Sequence, residues 1–334
     1  MPHPAIAAVL AADLLSSVAL LAAMAGALSV AAGWSPGAAT PVQLRLERIA
    51  EEASIAGRAA LALSAGAGLL LVVSVNHVLP ALVPGAMCGL GVLEAIPGGT
   101  GVLGLRVAAL AGLWAWWVLD SLDRRDELGP LAPWAARALL AAGALCLVAA
   151  LRTGAALVET DLHSPVSCCA AVIDLSRATA APGVLWIAGG WHLAAMLVLG
   201  AAISWMALRG PKSPRTALVL AVAVVCWAVL AEWVLLDVCA PYHYGLLGHR
   251  CPFFLFLPDH HFIGYLLHGT VLLAAFESMA LAVATASRTH LGKATNRAQR
   301  AGSLVAAGIL IHTFASLLPI AVFRLWTGAF MTGL

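Results

Sequence analysis

The stretch TALVLAVAVVCWAVLAEWVLLDV, residues 216–238, decides the class of fold. It carries only two charged side chains, and both lie near its carboxyl end. A helix of about 20 apolar residues crosses the hydrocarbon core of a bilayer, and this stretch is long enough to do so. The whole chain has the same character, since 62% of its 334 residues are hydrophobic and 10% are charged. This composition excludes an ordinary soluble domain and predicts an integral membrane protein.

Runs of comparable length recur along the chain and predict about eight transmembrane helices. They cover residues 5–33, 57–83, 102–122, 134–157, 183–208, 216–238, 263–287 and 302–329. No basic segment precedes the first run, so we expect a retained span and not a cleaved secretory signal. The segments between runs are too short to fold as separate domains. The sequence therefore predicts an all-α integral membrane protein, a polytopic bundle with a single transmembrane domain over residues 1–334.

The basic residues are divided unevenly between the two sets of connections. Thirteen of the 18 Lys and Arg residues belong to the odd-numbered connections. Connections rich in Lys and Arg usually face the cytoplasm. The distribution therefore predicts a bacterial inner-membrane protein with cytoplasmic odd connections and both termini in the periplasm. The even-numbered connections, at about residues 84–101, 158–182 and 239–262, would then face outward.

Several function classes lack a sequence signal. The chain has no basic patch interleaved with aromatic residues of the kind that binds nucleic acid. It also has no Walker-type loop, no HExxH, no GxSxG and no CxxCH haem-attachment motif. We therefore expect no nucleic-acid partner and no nucleotide chemistry by this chain itself.

The three outward connections concentrate the cysteines. Five of the seven lie in or beside these connections: Cys88, Cys168, Cys169, Cys239 and Cys251. The other two fall within spans, where a thiol usually packs as a small apolar group. We expect the five outward cysteines to carry the chemistry of this protein.

The first outward connection contains PGAMCGLGVL, residues 84–93. Met87 and Cys88 follow a proline-glycine turn at the predicted membrane edge. A thioether and a thiolate are both soft ligands suited to Cu(I). The alternative is a re-entrant turn in which Cys88 only packs.

The second outward connection contains SPVSCC, residues 164–169. A disulfide between the neighbours Cys168 and Cys169 would be strained and therefore easily reduced. Each thiol could instead pair with a different cysteine, or both could bind one soft metal ion. The plainer alternative is a structural disulfide framework, which is common outside the cytoplasm.

The third outward connection contains two further cysteines in VCAPYHYGLLGHRCPFF, residues 238–254. A bridge between Cys239 and Cys251 would close a short loop. Cys251 begins a sequence similar to the CPxC redox motif, but Phe254 stands where the second cysteine would be. Any redox partner of Cys251 must therefore come from elsewhere in the chain.

Histidines are the second component of the predicted site. His260 and His261 are predicted to begin the seventh helix, with Asp259 as its N-cap. Four more histidines lie within predicted spans: His77, His192, His268 and His312. Ionisable groups inside a membrane usually face a polar interior and mark functional sites. Facing histidines would also permit haem ligation, although no helix carries two of them at the regular wide spacing of cytochrome-b bundles.

The motifs PGAMC, SPVSCC and GHRCPFF, each placed between helices, resemble those of a group of bacterial polytopic membrane proteins. That resemblance implies a membrane location and brings no activity with it. Vitamin-K-epoxide-reductase-like proteins share the theme of cysteines at the membrane edge. They depend on a CxxC pair, which this sequence lacks, so the similarity is limited to the theme.

The leading hypothesis is an outward-facing Cys/His cluster that handles a soft metal ion, with copper favoured, or exchanges disulfides. The predicted metal ligands are Met87, Cys88, Cys168, Cys169, Cys251, His77, His192, His260, His261 and His268. The expected partners are the lipid bilayer and periplasmic thiol or metal carrier proteins.

Two other hypotheses compete with this one. The first is a permease or transporter subunit with structural disulfides, served by an ABC-type ATPase, in which Glu232, Glu277 and His312 line a path. The second is a membrane anchor of a respiratory assembly that carries haem or faces quinone.

Overall fold

A computed structural model describes residues 3–126, 128–166, 184–246, 248–288, 291 and 294–331, with the backbone alone for 184–190. Within these residues the regular structure is helical and contains no β-strand. The α-helices are α1 (Pro4–Gly33), α2 (Pro41–Val73), α3 (Gly89–Ala95), α4 (Gly99–Asp123), α5 (Ala132–Glu159), α6 (Val184–Arg209), α7 (Pro214–Val234), α8 (Ala240–Tyr244), α9 (Ile263–Ser287) and α10 (Ala294–Thr327).

Eight helical segments in the described part of the chain are long and apolar enough to cross a membrane. Two of them continue α2 and α7 through π-helical turns, at Ser74–Val78 and Leu235–Cys239. The predicted all-α polytopic fold is therefore confirmed, and the chain is a multi-pass membrane protein that contacts the bilayer. The orientation of its termini stays a prediction.

Two helices extend well beyond their predicted spans. Helix α2 begins at Pro41 and not near residue 57, and α10 begins at Ala294 and not near residue 302. Both extensions are rich in polar and charged residues, so hydropathy alone does not reveal them. The cap of α2 is local, since the Thr40 hydroxyl accepts a hydrogen bond from the amide of Gln43.

The chain divides into two compact units. The first unit comprises Met1–Pro84, Val92–Ser164 and Val283–Arg297, and the second comprises Gly85–Gly91, Pro165–Ala282 and Ala298–Leu334. The prediction of a single transmembrane domain is not decided by this division.

Close helix packing in the first unit depends on small residues. Leu20, Leu113 and Leu139 share a buried core with alanines of α1, α2, α4 and α5. A Cβ atom on Gly57 of α2 would collide with the Trp116 ring of α4, so this contact requires glycine. Membrane helices associate through such close packing because lipid provides no hydrophobic drive between them.

A buried ion pair links α1 and α4 in the first unit. Both guanidinium NH₂ groups of Arg106 donate to the carboxylate of Asp13, at 2.9 and 2.6 Å. Both residues are more than nine-tenths buried.

The second unit also relies on glycine at its helix contacts. A Cβ atom on Gly302 of α10 would collide with the Ala207 carbonyl of α6. A Cβ on Gly308 would lie 2.8 Å from the Thr270 carbonyl oxygen of α9, closer than real Cβ contacts. These close approaches require glycine where α10 packs against α6 and α9.

We expect Arg106→Met to destabilise the protein by about 3–5 kcal/mol, because it leaves the Asp13 carboxylate buried without its cation. The double variant Asp13→Leu, Arg106→Met removes both charges and should recover most of that loss. Thermal unfolding in detergent would compare the two variants. Equal destabilisation by the single and double variants would contradict a charge-pairing role.

Candidate functional site

Two of the predicted cysteines meet in the second unit. The Sγ atoms of Cys88 and Cys251 lie 3.2 Å apart, although 163 positions separate them in the chain. Both side chains are fully buried. The pairing joins the first outward connection to the third, which neither motif predicts alone.

The turn before Cys88 is shaped by Gly85. This residue has φ +80°, a left-handed conformation that favours glycine. A Cβ atom on it would also collide with the carbonyl oxygen of Val166 in the second outward connection. Helix α3 begins at Gly89, directly after the cysteine. Cys88 is therefore held between a glycine turn and a helix start.

Two neighbouring contacts fix Cys251. The guanidinium group of Arg250 forms an ion pair with Asp237 on the π-helical turn after α7. The hydroxyl of Tyr244 donates a hydrogen bond to the carbonyl oxygen of Cys251. Pro252 then opens a 3₁₀ helix, Pro252–Phe256. These contacts anchor the backbone on both sides of the sulfur atom.

Apolar side chains surround the sulfur pair. Leu90, Phe253 and Phe254 pack against Cys88 and Cys251. This packing excludes water from the two sulfur atoms. The pair therefore lies in a small apolar pocket of the outward connections.

An aromatic and imidazole cluster adjoins this pocket. The Tyr244 ring lies 4.6 Å from His249 and 4.8 Å from His260, measured between ring centroids. His249 also packs on Phe254 at 4.5 Å. Burial lowers the pKa of His249. Burial likewise lowers the pKa of His260, against the opposing effect of the Asp259 carboxylate. Both rings are therefore neutral at neutral pH.

The remaining cysteine predictions have different outcomes. Cys239 is buried in the π-helical turn and forms no disulfide with Cys251. Met87 is 61% exposed, whereas Cys88 beside it is fully buried. Cys168 and Cys169 lie outside the described residues.

The predicted imidazole ligands are spread over several places. His77 is exposed on the π-helical turn of the first unit. His261 is exposed and has a left-handed φ of 52°. Asp259 lies within a 3₁₀ turn and α9 begins only at Ile263, so the predicted N-cap and the predicted start of this helix were wrong. The two prolines of the segment favour short turns there.

His268 and His312 form polar contacts between the helices of the second unit. His268 is hydrogen-bonded to Glu232 of α7 at 3.0 Å and to the Gly264 carbonyl at 2.9 Å. His312 is fully buried and bonds to the Leu267 carbonyl at 3.1 Å. Haem ligation by either ring would require the loss of a protein hydrogen bond.

His192 lies between two indole rings. The centroids of Trp191 and Trp233 are 3.5 and 4.5 Å from its ring. It is 8% exposed, and its ring nitrogens have no hydrogen-bond partner among the described residues. Its ring is therefore packed against indoles of α6 and α7.

The described residues contain no group of three or more His, Cys, Asp or Glu side chains that could hold a metal ion. The predicted copper site stays a prediction, since two of its proposed thiolates lie outside those residues. Comparison of the chain with protein-family models, curated proteins and solved structures found no match. The function is therefore inferred from the site's own geometry.

Sequence reasoning missed one residue that positions the site, Tyr244. Arg250 was counted only in the charge distribution, although it directly precedes Cys251. A charge beside a CP sequence at a membrane edge was an available signal, because such a charge needs a nearby partner.

We expect the packing of His249 and His260 against Tyr244 to become less stable as the pH falls from about 7.5 to about 5.5. Folding favours neutral His249 and His260, whereas the unfolded state binds protons below the ordinary pKa of 6.5. The two neutral rings therefore contribute their full stability above pH 6.5, and this contribution is lost as the pH falls below that value. The rate at which Cys251 reacts with a maleimide would report the loosening.

His249→Phe keeps a ring against Tyr244 and Phe254 and should reduce this pH dependence. His163→Asn is the matched control, because the His163 side chain is 97% exposed. A wild-type labelling rate that is independent of pH, after correction for thiol ionisation in a model peptide, would contradict the role of these rings.

Proposed function

We propose that this protein exchanges disulfides at the periplasmic face of a bacterial inner membrane, with Cys88 and Cys251 as the reactive pair. The observation that carries the proposal is the 3.2 Å separation of their Sγ atoms across 163 positions of sequence. Two thiols this close need only a small shift to form a bond. Arg250 and Tyr244 hold one partner, and the Gly85 turn holds the other.

The geometry favours exchange over metal binding by this pair. Two thiolates on a tetrahedral metal ion with bonds of about 2.3 Å lie about 3.8 Å apart. The sulfur atoms of Cys88 and Cys251 are closer than that. The pair therefore suits a disulfide better than a metal ion.

The reaction is a two-electron exchange with a thiol carrier protein. A thiolate of the pair attacks the disulfide of an oxidised carrier and forms a mixed disulfide, which releases one carrier thiolate. The second sulfur of the pair then attacks its partner and releases the other carrier thiolate. Cys88 and Cys251 end as a disulfide, and their two protons pass to the carrier's thiols. The reverse sequence oxidises a reduced carrier.

Exchange requires the buried pair to open. The segment after Cys251 consists of two short 3₁₀ turns, Pro252–Phe256 and Pro258–His260. His261 and Phe262 follow with left-handed φ values of 52° and 56°. Short 3₁₀ turns have weaker hydrogen-bond geometry than an α-helix, and such segments open at low cost in free energy. Movement of this segment would expose the Cys251 sulfur to a carrier.

The proposal predicts that Cys88 and Cys251 interconvert between dithiol and disulfide as one two-electron couple. Purified protein would be equilibrated in glutathione buffers of stepped potential, alkylated, and digested without reductant. The Cys88–Cys251 linked peptide should appear in oxidising buffers and disappear in reducing ones. Cys88→Ser should leave Cys251 able to trap a mixed disulfide with a CxxC thiol carrier protein.

Cys226→Ser is the matched control, because Cys226 is exposed on α7 and is not among the residues of the buried sulfur pocket. Absence of the linked peptide at every potential would overturn the proposal. Elemental analysis of protein purified without chelators separates the metal alternative. Near-stoichiometric copper that is lost in both Cys88→Ser and Cys251→Ser would assign these thiols to metal handling instead.

The transporter alternative has its own supporting observation. Glu232 of α7 and His268 of α9 are hydrogen-bonded to each other. Glu277 of α9 is only 3% exposed. Ionisable groups within membrane helices often mark proton or ion pathways. In that function the thiol pair would only brace the outward connections.

Proteoliposomes with an entrapped pH dye would test the pathway. A proton leak or proton-coupled uptake that is abolished by Glu232→Gln, and unchanged by Glu94→Gln, would favour transport. A tight membrane in wild type and variant alike would contradict it. This result is independent of the redox measurement on Cys88 and Cys251.

A further inference from the structure

A cavity of about 170 Å³ opens in the first unit among the ends of α1, α2, α4 and α5. It lies at the connections that the charge distribution predicts to be cytoplasmic, away in sequence from every outward motif. Its floor is apolar and includes Val30, Ala53 and Leu139. The charged side chains that line it are mostly acidic.

Five carboxylates line the cavity: Glu47, Glu51, Asp120, Asp123 and Asp126. Asp120 is already neutralised, since its carboxylate accepts hydrogen bonds from Arg58 at 2.8 Å and Arg124 at 3.2 Å. Arg124, the basic residue among those that line the cavity, is therefore already paired with Asp120. In the part of the chain that the structure describes, the other four carboxylates form no ion pair.

Asp123 is the carboxylate that lies deepest without a cation. It is only 7% exposed. Its Oδ1 accepts a hydrogen bond from the Leu131 amide at 2.7 Å. Among the described residues no hydrogen bond or ion pair reaches its Oδ2, and Asp123 lines the cavity. Burying a carboxylate without compensation is costly, so this oxygen is a ready acceptor for a cationic ligand.

Two tryptophans supply aromatic walls. The Trp34 indole N–H donates to the Gly129 carbonyl oxygen at 3.0 Å, which fixes its ring. Gly129 has φ +54°, and a Cβ on it would lie 2.9 Å from that ring. Trp116 of α4 also lines the cavity and is almost fully buried. Indole faces attract ammonium and guanidinium groups, most strongly where water is displaced.

The kind of cation follows from the arrangement of the acids. The described residues contain no cluster of three or more side chains that could hold a metal ion, so the acids do not converge on one point. Dispersed carboxylates with indole walls suit an organic cation, whose charge is spread and whose body is apolar. An engineered cavity of about 150 Å³ holds benzene, so this cavity has room for a ligand of similar size.

We propose that this cavity binds a small organic cation with a primary ammonium or guanidinium group. The charged group lies against Asp123 Oδ2, the rim carboxylates Glu47, Glu51 and Asp126 attract it, and its apolar part contacts Trp34 and Trp116. The site lies wholly in the first unit and does not depend on the thiol chemistry proposed above.

Calorimetry on the purified full-length protein would test the site, with propylammonium chloride as the probe and sodium chloride at equal ionic strength as the blank. We expect saturable binding, and we expect Asp123→Asn to weaken it by about tenfold or more. Asp161→Asn is the matched control, because Asp161 is an exposed carboxylate on another connection. It should leave binding unchanged.

A second variant and a neutral probe complete the experiment. Glu51→Gln changes an exposed rim residue and should weaken propylammonium binding by about twofold, even if Asp123→Asn fails to fold. Neutral 1-propanol should bind far more weakly than propylammonium. Equal binding of 1-propanol, or no saturable heat from propylammonium up to about 10 mM, would overturn the proposal.

Discussion

Inside a bilayer, each buried polar group must find its partner within the protein, and the rest of this structure depends on that constraint. It explains why the described regular structure is helical and why Asp13 meets Arg106 with two hydrogen bonds. The same requirement brings His312 against a backbone carbonyl of α9. Small residues allow the helices to pack closely around these contacts. Gly57 leaves room for the Trp116 ring in the first unit, and Gly302 leaves room for the Ala207 carbonyl in the second.

The constraint weakens where the chain leaves the lipid, and irregular backbone appears there. A π-helical turn ends α7, and two 3₁₀ turns precede α9. Binding and catalytic residues are often carried by surface loops that a rigid scaffold positions. Here the irregular segments bring two distant cysteines together, and a tyrosine and an ion pair anchor them. The first unit by itself contains a separate concavity, which is lined by carboxylates of α2, α4 and the connection that follows α4.

Hydropathy was sufficient to predict the eight spans, because a run of apolar residues has few alternatives to crossing the membrane. It did not predict the polar start of α2 at Pro41, since a helix that leaves the lipid loses its apolar signature. The outward motifs identified Cys88 and Cys251 separately. Their contact is a property of tertiary structure, and local spacing does not encode it. Asp123 was not a predicted site residue at all, because its isolation from cations becomes visible only when the neighbours of α4 are known.

The long sequence separation of the sulfur pair has a mechanical consequence. A covalent bond between Cys88 and Cys251 would close a loop of 163 residues that includes four of the membrane-spanning segments. In the chain-entropy model, closing a loop of this length disfavours the unfolded state by about 5 kcal/mol. Oxidation would thus stabilise nearly half of the molecule against unfolding, and reduction would remove this stabilisation. A change in the redox potential around the pair would then change the rigidity of the protein.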